Sequence, residues 1–190
     1  MAAIGTPKLD PDFRARDFFL KSVDGNYYGL DDLRGGAAML VMFICNHCPY
    51  VKAIIGRLVP QCEDLMERYG VRVVAIMPND TVAYPDDAYD KMVLFARGHK
   101  FPFQYLIDES QDVAKSYGAV CTPDFFCFNR DLALRYRGRF DDPKREAVDE
   151  PGGELFEAVK HIAATGEAPE NQVPSIGCSI KWRCLDDVTN

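Results

Sequence analysis

Residues 37–44, AAMLVMFI, form an unbroken apolar run that leads straight into CNHCPY at 45–50. An apolar run of this length suits a strand buried on both faces, as in a parallel sheet. Directly after the motif, Val51, Ile54, Ile55, Leu58, Val59, Cys62, Leu65, Met66 and Tyr69 recur at helical spacing. Gly70 supplies a C-terminal stop, and Pro60 should bend the helix. The two cysteines are thereby placed at the C-terminal end of a buried strand and the start of a helix. Sites in open α/β sheets are usually found there.

The remaining chain continues the alternation. DFFLKSVDGNYYGL reads as a hairpin turning at Asp24-Gly25. VRVVAIMPND is a second buried strand, and Pro85-Asp86-Asp87 opens a helix that closes near Gly98. FPFQYLID is a strand, and SQDVAKSYG is a short helix with a serine start and a glycine end. DFFCFNRDLALRYRGRF gives two strands around a polar turn at 129–131. GGELFEAVKHIAATG is a last helix, and the tail after it has no clear period. Strands alternating with helices predict an α/β fold with a central mixed sheet flanked by helices.

Bulk properties narrow the function classes. With 190 residues, one domain with a substantial core is expected. The net charge of -7 and the lack of any basic run argue against nucleic acid and anionic lipid as partners. No apolar run approaches the ~20 residues that span a bilayer. The N-terminal segment lacks an apolar stretch of signal-peptide length, so a cytoplasmic location is expected. The seven cysteines are an odd number, so at least one has no partner within the chain. In a reducing compartment a C-x-x-C is more often catalytic or metal-binding than structural.

A helix start favours a thiolate through unpaired N–H groups and the dipole. A cysteine of ordinary pKa ~8.5 falls to roughly 3.5–7.5 in such surroundings. Residues i and i+3 on a helix stand ~5–6 Å apart at Cβ, and modest adjustment lets two sulfurs bond. Cys45 could then attack a disulfide from an exposed position, and Cys48 could release the mixed disulfide. Pro49 tolerates the first helical turn and biases Cys48 away from α geometry. His47 could place positive charge beside the thiolate, lowering its pKa and making the disulfide more oxidising. The competing possibility is a metal site for copper or zinc, with His47, Cys121 or Cys178 completing the ligands. No second C-x-x-C and no H-x₃₋₅-H completes a zinc set.

FICNHCPYVK, DESQDVAKSYG and CTPDFFCFN, in this order, resemble the thioredoxin superfamily in its redoxin, or peroxiredoxin-like, branch. The N-terminal hairpin and the inserted segment around 80–100 resemble that branch as well. The resemblance spans roughly residues 10–165, and 166–190 form a C-terminal extension of a single thioredoxin-like domain over 1–190. It implies Cys45 as nucleophile and Cys48 as resolving cysteine. It also implies Pro123 as a cis-proline facing the site after Thr122, the two marking where substrate binds. In this superfamily the backbone beside that proline pairs with extended peptides by strand addition. The implied activity is thiol–disulfide exchange, or alternatively thiol peroxidase chemistry on Cys45. It needs no cofactor and no metal. The implied partners are a disulfide-containing protein or small molecule and an external thiol reductant. The pattern specifies no oligomeric state.

The departures from the resemblance are specific. Typical thioredoxins carry tryptophan before the first cysteine and a buried acid six positions before it; here these are Ile44 and Met39. Typical peroxiredoxins carry threonine or serine three residues before the peroxidatic cysteine, and proline seven before. Those positions are Met42 and Ala38 for Cys45, and Cys45 and Val41 for Cys48. Neither cysteine has the peroxidase pattern. Cys121 and Cys178 are candidate further thiols of the site, Cys178 if the tail folds back to resolve or shield it. On the simpler reading, Ile176, Ile180 and Trp182 dock the tail on the core. Cys62 and Cys127 are expected to be inert core residues, Cys184 incidental, and His99 and His161 solvated. The paired acids, Asp86-Asp87 among them, read as turns, caps and surface charge.

Overall fold

The computed structural model describes residues 3–142 and 152–183. In chain order the strands are β1 (Ala3–Gly5), β2 (Phe19–Ser22), β3 (Tyr27–Gly29), β4 (Ala38–Phe43), β5 (Arg72–Met77), β6 (Gln104–Ile107), β7 (Cys121–Thr122), β8 (Asp124–Asn129), β9 (Leu134–Gly138) and β10 (Ile176–Ser179). The helices are α1 (Leu30–Leu33), α2 (Pro49–Tyr69), α3 (Tyr89–His99), α4 (Asp112–Tyr117) and α5 (Glu154–Thr165). Seven strands form one mixed sheet in the order β3-β2-β6-β5-β4-β8-β9. The central strand β4 is parallel to β5 and antiparallel to β8.

Every residue of β4 is buried, because successive side chains point to opposite faces and both faces are covered. Leu40 and Met42 join the apolar cluster under α2 and α5, with Leu58, Leu65, Leu155 and Val159. Met39, Val41 and Phe43 join the opposite cluster with Val113, Ala114 and Tyr117 of α4. Met39 thus fills core where typical thioredoxins carry their acid. The apolar stripe of α2 faces inward at Val51, Ile55, Leu58, Val59, Cys62 and Leu65, and Gly70 ends the helix in a left-handed conformation with φ 65°.

Four expectations from the sequence are corrected. Pro85–Asp87 is a separate 3₁₀ turn; α3 starts at Tyr89 and passes through Gly98. The patternless tail contains β10, which pairs antiparallel with both β1 and β7 in a three-stranded sheet. Ile180 alone of the three tail apolars is buried; Ile176 and Trp182 are exposed. The two cysteines do not sit on the helix: α2 begins at Pro49 with Cys48 as its N-cap. Cys184 lies outside the described residues. Among the described residues, no helix is long and apolar enough to cross a membrane.

Candidate active site

β4 delivers Cys45 to the sheet's edge, and the chain then turns through Asn46 and His47 before entering α2. Pro49 holds Cys48 out of helical geometry, at φ -65° and ψ 121°, and leaves it as the N-cap. Neither thiol is exposed: Cys45 retains 1% of its surface and Cys48 none. This corrects the expectation of an exposed attacking sulfur.

Both sulfurs converge on Thr122. Cys45 Sγ lies 3.4 Å from the Thr122 hydroxyl, and Cys48 Sγ lies 3.0 Å from its carbonyl oxygen. The following peptide bond, Thr122–Pro123, is cis. A carbonyl only accepts, so the Cys48 thiol donates to it while protonated. Once the pair loses a proton, the balance reverses. Cys48 then receives hydrogen bonds, first from the Cys45 thiol and also from the Thr122 hydroxyl and the Val51 N–H in the first turn of α2, and it is drawn down to about 4. Cys45 is pushed far above the ordinary thiol range, first by holding the shared proton against Cys48, then by burial, then by the charge of Asp87. One proton therefore leaves this dithiol readily and the second is held. The N-terminus of α2 acts on Cys48, its N-cap, rather than on Cys45.

Asp87 is the residue that sequence reasoning missed. It is fully buried, not a surface charge. Its Oδ1 accepts the backbone N–H of Asn46 at 2.8 Å and of His47 at 3.2 Å. Its Oδ2 accepts Nδ1–H of His47 at 2.6 Å and the Asn79 side-chain amide at 2.8 Å. A buried carboxylate requires such donors. Four of them from the motif and β5's exit loop fix the C-N-H-C turn from behind. Tyr105 adds a hydrogen bond to the Asn46 side chain at 2.9 Å. Nothing in Pro85-Asp86-Asp87 marks this role, because the partners lie about 8 and 40 positions away in the chain.

His47 stacks on Tyr84 with centroids 5.8 Å apart, and its Nδ1 is 3.9 Å from Cys45 Sγ. Since that nitrogen's proton goes to Asp87, His47 is not a base for Cys45. Cys45, His47 and Asp87 also form the metal-ligand cluster found among the described residues. Two ligands of a tetrahedral zinc at ~2.0–2.1 Å stand well over 3 Å apart. The 2.6 Å between Nδ1 and Oδ2 is a hydrogen bond, which a metal would have to break.

The other candidate thiols separate. Cys121 precedes Thr122 in β7, so its side chain takes the opposite face; its thiol donates to the Pro123 carbonyl at 3.5 Å. Cys178 lies opposite Thr122 in the β10–β7 pairing and joins the apolar cluster of Cys45 and Cys48. Cys62 and Cys127 are buried, and desolvation alone raises their pKa. His99 and His161 are exposed.

Residues 11–137 match the AhpC/TSA family. The chain belongs to the AhpC/TSA family. This places it in the redoxin branch of the thioredoxin superfamily, as a thioredoxin-like redox protein. An uncharacterized conserved protein from Geobacillus kaustophilus shares 44% identity, over 96% of this chain and 97% of that one, with a TM-score of 0.88. A hypothetical protein from Sinorhizobium meliloti 1021 shares 37% identity over 95% and 98%, at 0.86. The thioredoxin domain of a thiol-disulfide oxidoreductase from Bacteroides vulgatus shares 15% identity over 82% and 99%, at 0.62, a likeness of fold alone. No curated protein matches the chain.

Proposed function

We propose that this AhpC/TSA protein is a thiol–disulfide oxidoreductase that works through a Cys45–Cys48 disulfide on small disulfide substrates. The observation that carries this reading is the convergence of both sulfurs on Thr122. Transfer of the Cys45 proton to Cys48 makes Cys45 the thiolate. Cys45 attacks one sulfur of the substrate disulfide, forming a mixed disulfide and releasing a thiolate. That thiolate takes the Cys48 proton, and Cys48 attacks Cys45 Sγ. The second substrate sulfur leaves as a thiolate and is protonated from solvent. The substrate gains two electrons and the protein loses two, which an external thiol reductant restores.

Two features support a small substrate. The β7 edge, where strand addition would pair a peptide, is taken by β10. Beside Pro123 lies a cavity of about 540 Å³, lined by Tyr50, Ile54, Phe140, Val173 and Ile176 and bordered by Arg57 and Arg139. His47, partly exposed, is the neighbour of buried Cys45 on the solvent side, with its Nδ1 3.9 Å from Sγ. The test is stoichiometric. Reduced protein mixed with oxidised glutathione should release two glutathione thiols per chain, while Cys48→Ser should release one and stop at a mixed disulfide on Cys45. A reaction no faster than that of a free thiol overturns the proposal.

One observation favours a second reading, peroxide reduction at Cys45: the Thr122 hydroxyl beside its sulfur, a hydroxyl that the sequence pattern lacks. Here the Cys45 thiolate would take one peroxide oxygen as sulfenic acid, an alcohol would leave, and Cys48 would condense with loss of water. Stopped-flow oxidation by hydrogen peroxide at a free thiol's rate excludes it.

A further inference from the structure

The strand resting on β7 carries a cysteine of its own. β10 runs antiparallel to β7, with Cys178 opposite Thr122 and Ser179 opposite Cys121. The Ile180 N–H extends the pairing to the Val120 carbonyl at 3.1 Å. This is the arrangement that strand addition gives a bound peptide, supplied here from within the chain. The strand is drawn in so closely that a Cβ at Gly177 would collide with the Thr122 carbonyl, the same group that receives the Cys48 thiol.

Both ends of the strand are fastened by buried hydrogen bonds. Ser175 donates through its backbone N–H to the Thr6 hydroxyl at 2.9 Å and through its own hydroxyl to the Pro123 carbonyl at 3.0 Å. The Lys181 N–H donates to the Asn79 side chain at 2.9 Å, and its carbonyl accepts from Gln111 at 2.8 Å. Asn79 in turn donates to Asp87, so the tail is tied to the scaffold of the C-N-H-C turn. The residue this framework sets against Thr122 is a buried thiol in one apolar cluster with Cys45 and Cys48.

Resting on the oxidoreductase reading, we propose that Cys178 is a third redox thiol of this site, exchanging with the Cys45–Cys48 disulfide to form Cys48–Cys178. Cys178 loses its proton and its sulfur attacks Cys48 Sγ. The Cys45–Cys48 bond breaks, Cys45 departs as a thiolate and takes up the proton, and no net oxidation occurs. Cys48 is the acceptor because Cys178 stands opposite Thr122, whose carbonyl oxygen receives the Cys48 thiol. Burial raises the Cys178 thiol above its ordinary value. The exchange returns Cys45 to the thiol state while the chain remains oxidised, and it bonds the resident strand covalently to the start of α2.

The test uses the full chain, oxidised glutathione, acid quenching and peptide mapping without reduction. Cys45 and Cys48 share the tryptic segment 35–52, and Cys178 lies in 161–181, so the proposed bond joins two peptides that Cys45–Cys48 leaves separate. Wild type should yield both linkages. In Cys45→Ser, glutathione should add to Cys48 and be displaced by Cys178, making the cross-linked peptide the main oxidised product. The proposal is overturned if wild type yields the Cys45–Cys48 loop alone and Cys45→Ser stops at a Cys48–glutathione disulfide with Cys178 still alkylated. A wild type in which Cys45 and Cys48 never bond overturns the oxidoreductase reading instead, and Cys45→Ser then judges Cys178 by itself.

Discussion

Cys45 and Cys48 are as deeply buried as Cys62 and Cys127, yet the two pairs have different surroundings. Cys62 lies on the inner face of α2 and Cys127 within β8, and burial alone raises both. Around Cys45 and Cys48 the same burial is met by a helix N-terminus, the Thr122 hydroxyl and carbonyl, and a second thiol. Exposure does not distinguish the two pairs; the hydrogen-bonding groups around Cys45 and Cys48 do.

The largest test of the contrast is deletion. Cys45→Ser and Cys48→Ser should each strongly slow the catalytic turnover of oxidised glutathione in the presence of an external thiol reductant, measured as thiol release. Cys62→Ala and Cys127→Ala should keep wild-type turnover and lose only about 1 kcal/mol of stability each, read from denaturant midpoints. Loss of turnover on deleting Cys62 or Cys127 would erase the distinction.

Asp87→Ala addresses what holds the reactive pair. It would strip four hydrogen bonds from a fully buried carboxylate, and a loss of about 3 kcal/mol is expected from denaturation curves. Asp87→Asn should cost less and should lower the Cys45 pKa, since the Asp87 charge raises it.

The pH dependence sharpens the comparison. With Cys48 drawn down to about 4, alkylation of the pair should continue through neutral and mildly acid pH and fade only as pH drops toward that value. The sign for stability follows. A depressed folded-state pKa stabilises the fold above the unfolded thiol's pKa, near 9, and that contribution declines as pH falls through the window to about 4. Cys62 and Cys127 should resist alkylation throughout until the chain unfolds.

The smallest expected effect is at His47. A protonated imidazole 3.9 Å from Cys45 Sγ would favour the reduced thiolate form, so on that basis His47→Phe should make the disulfide more reducing by on the order of 30 mV. A glutathione-buffer titration would read this shift. An unchanged potential would leave Asp87 and the helix N-terminus as the controlling features.

Much of this architecture is legible in the sequence because it rests on local signals. The β4 run, the α2 stripe, Gly70 and the Asp24-Gly25 hairpin each carry their own periodicity or turn chemistry. The site was legible where it follows the strand–helix unit, in Cys45, His47, Cys48 and the Thr122-Pro123 step. It was not legible where it depends on distant partners. β10 has no alternation because β1 and β7 flank it and its burial is set by tertiary packing. Asp87 reads as a cap until the fold brings Asn46 and His47 against it. That Cys48 itself is the N-cap of α2 depends on the geometry imposed by Pro49.

The most direct test is a redox titration of the full chain in glutathione buffers, with peptide 35–52 followed by mass after alkylation. The expected result is a two-electron transition in which a Cys45–Cys48 loop appears within that peptide, abolished by Cys48→Ser. A peptide that keeps both thiols alkylatable across the whole range of potentials would contradict a Cys45–Cys48 redox disulfide.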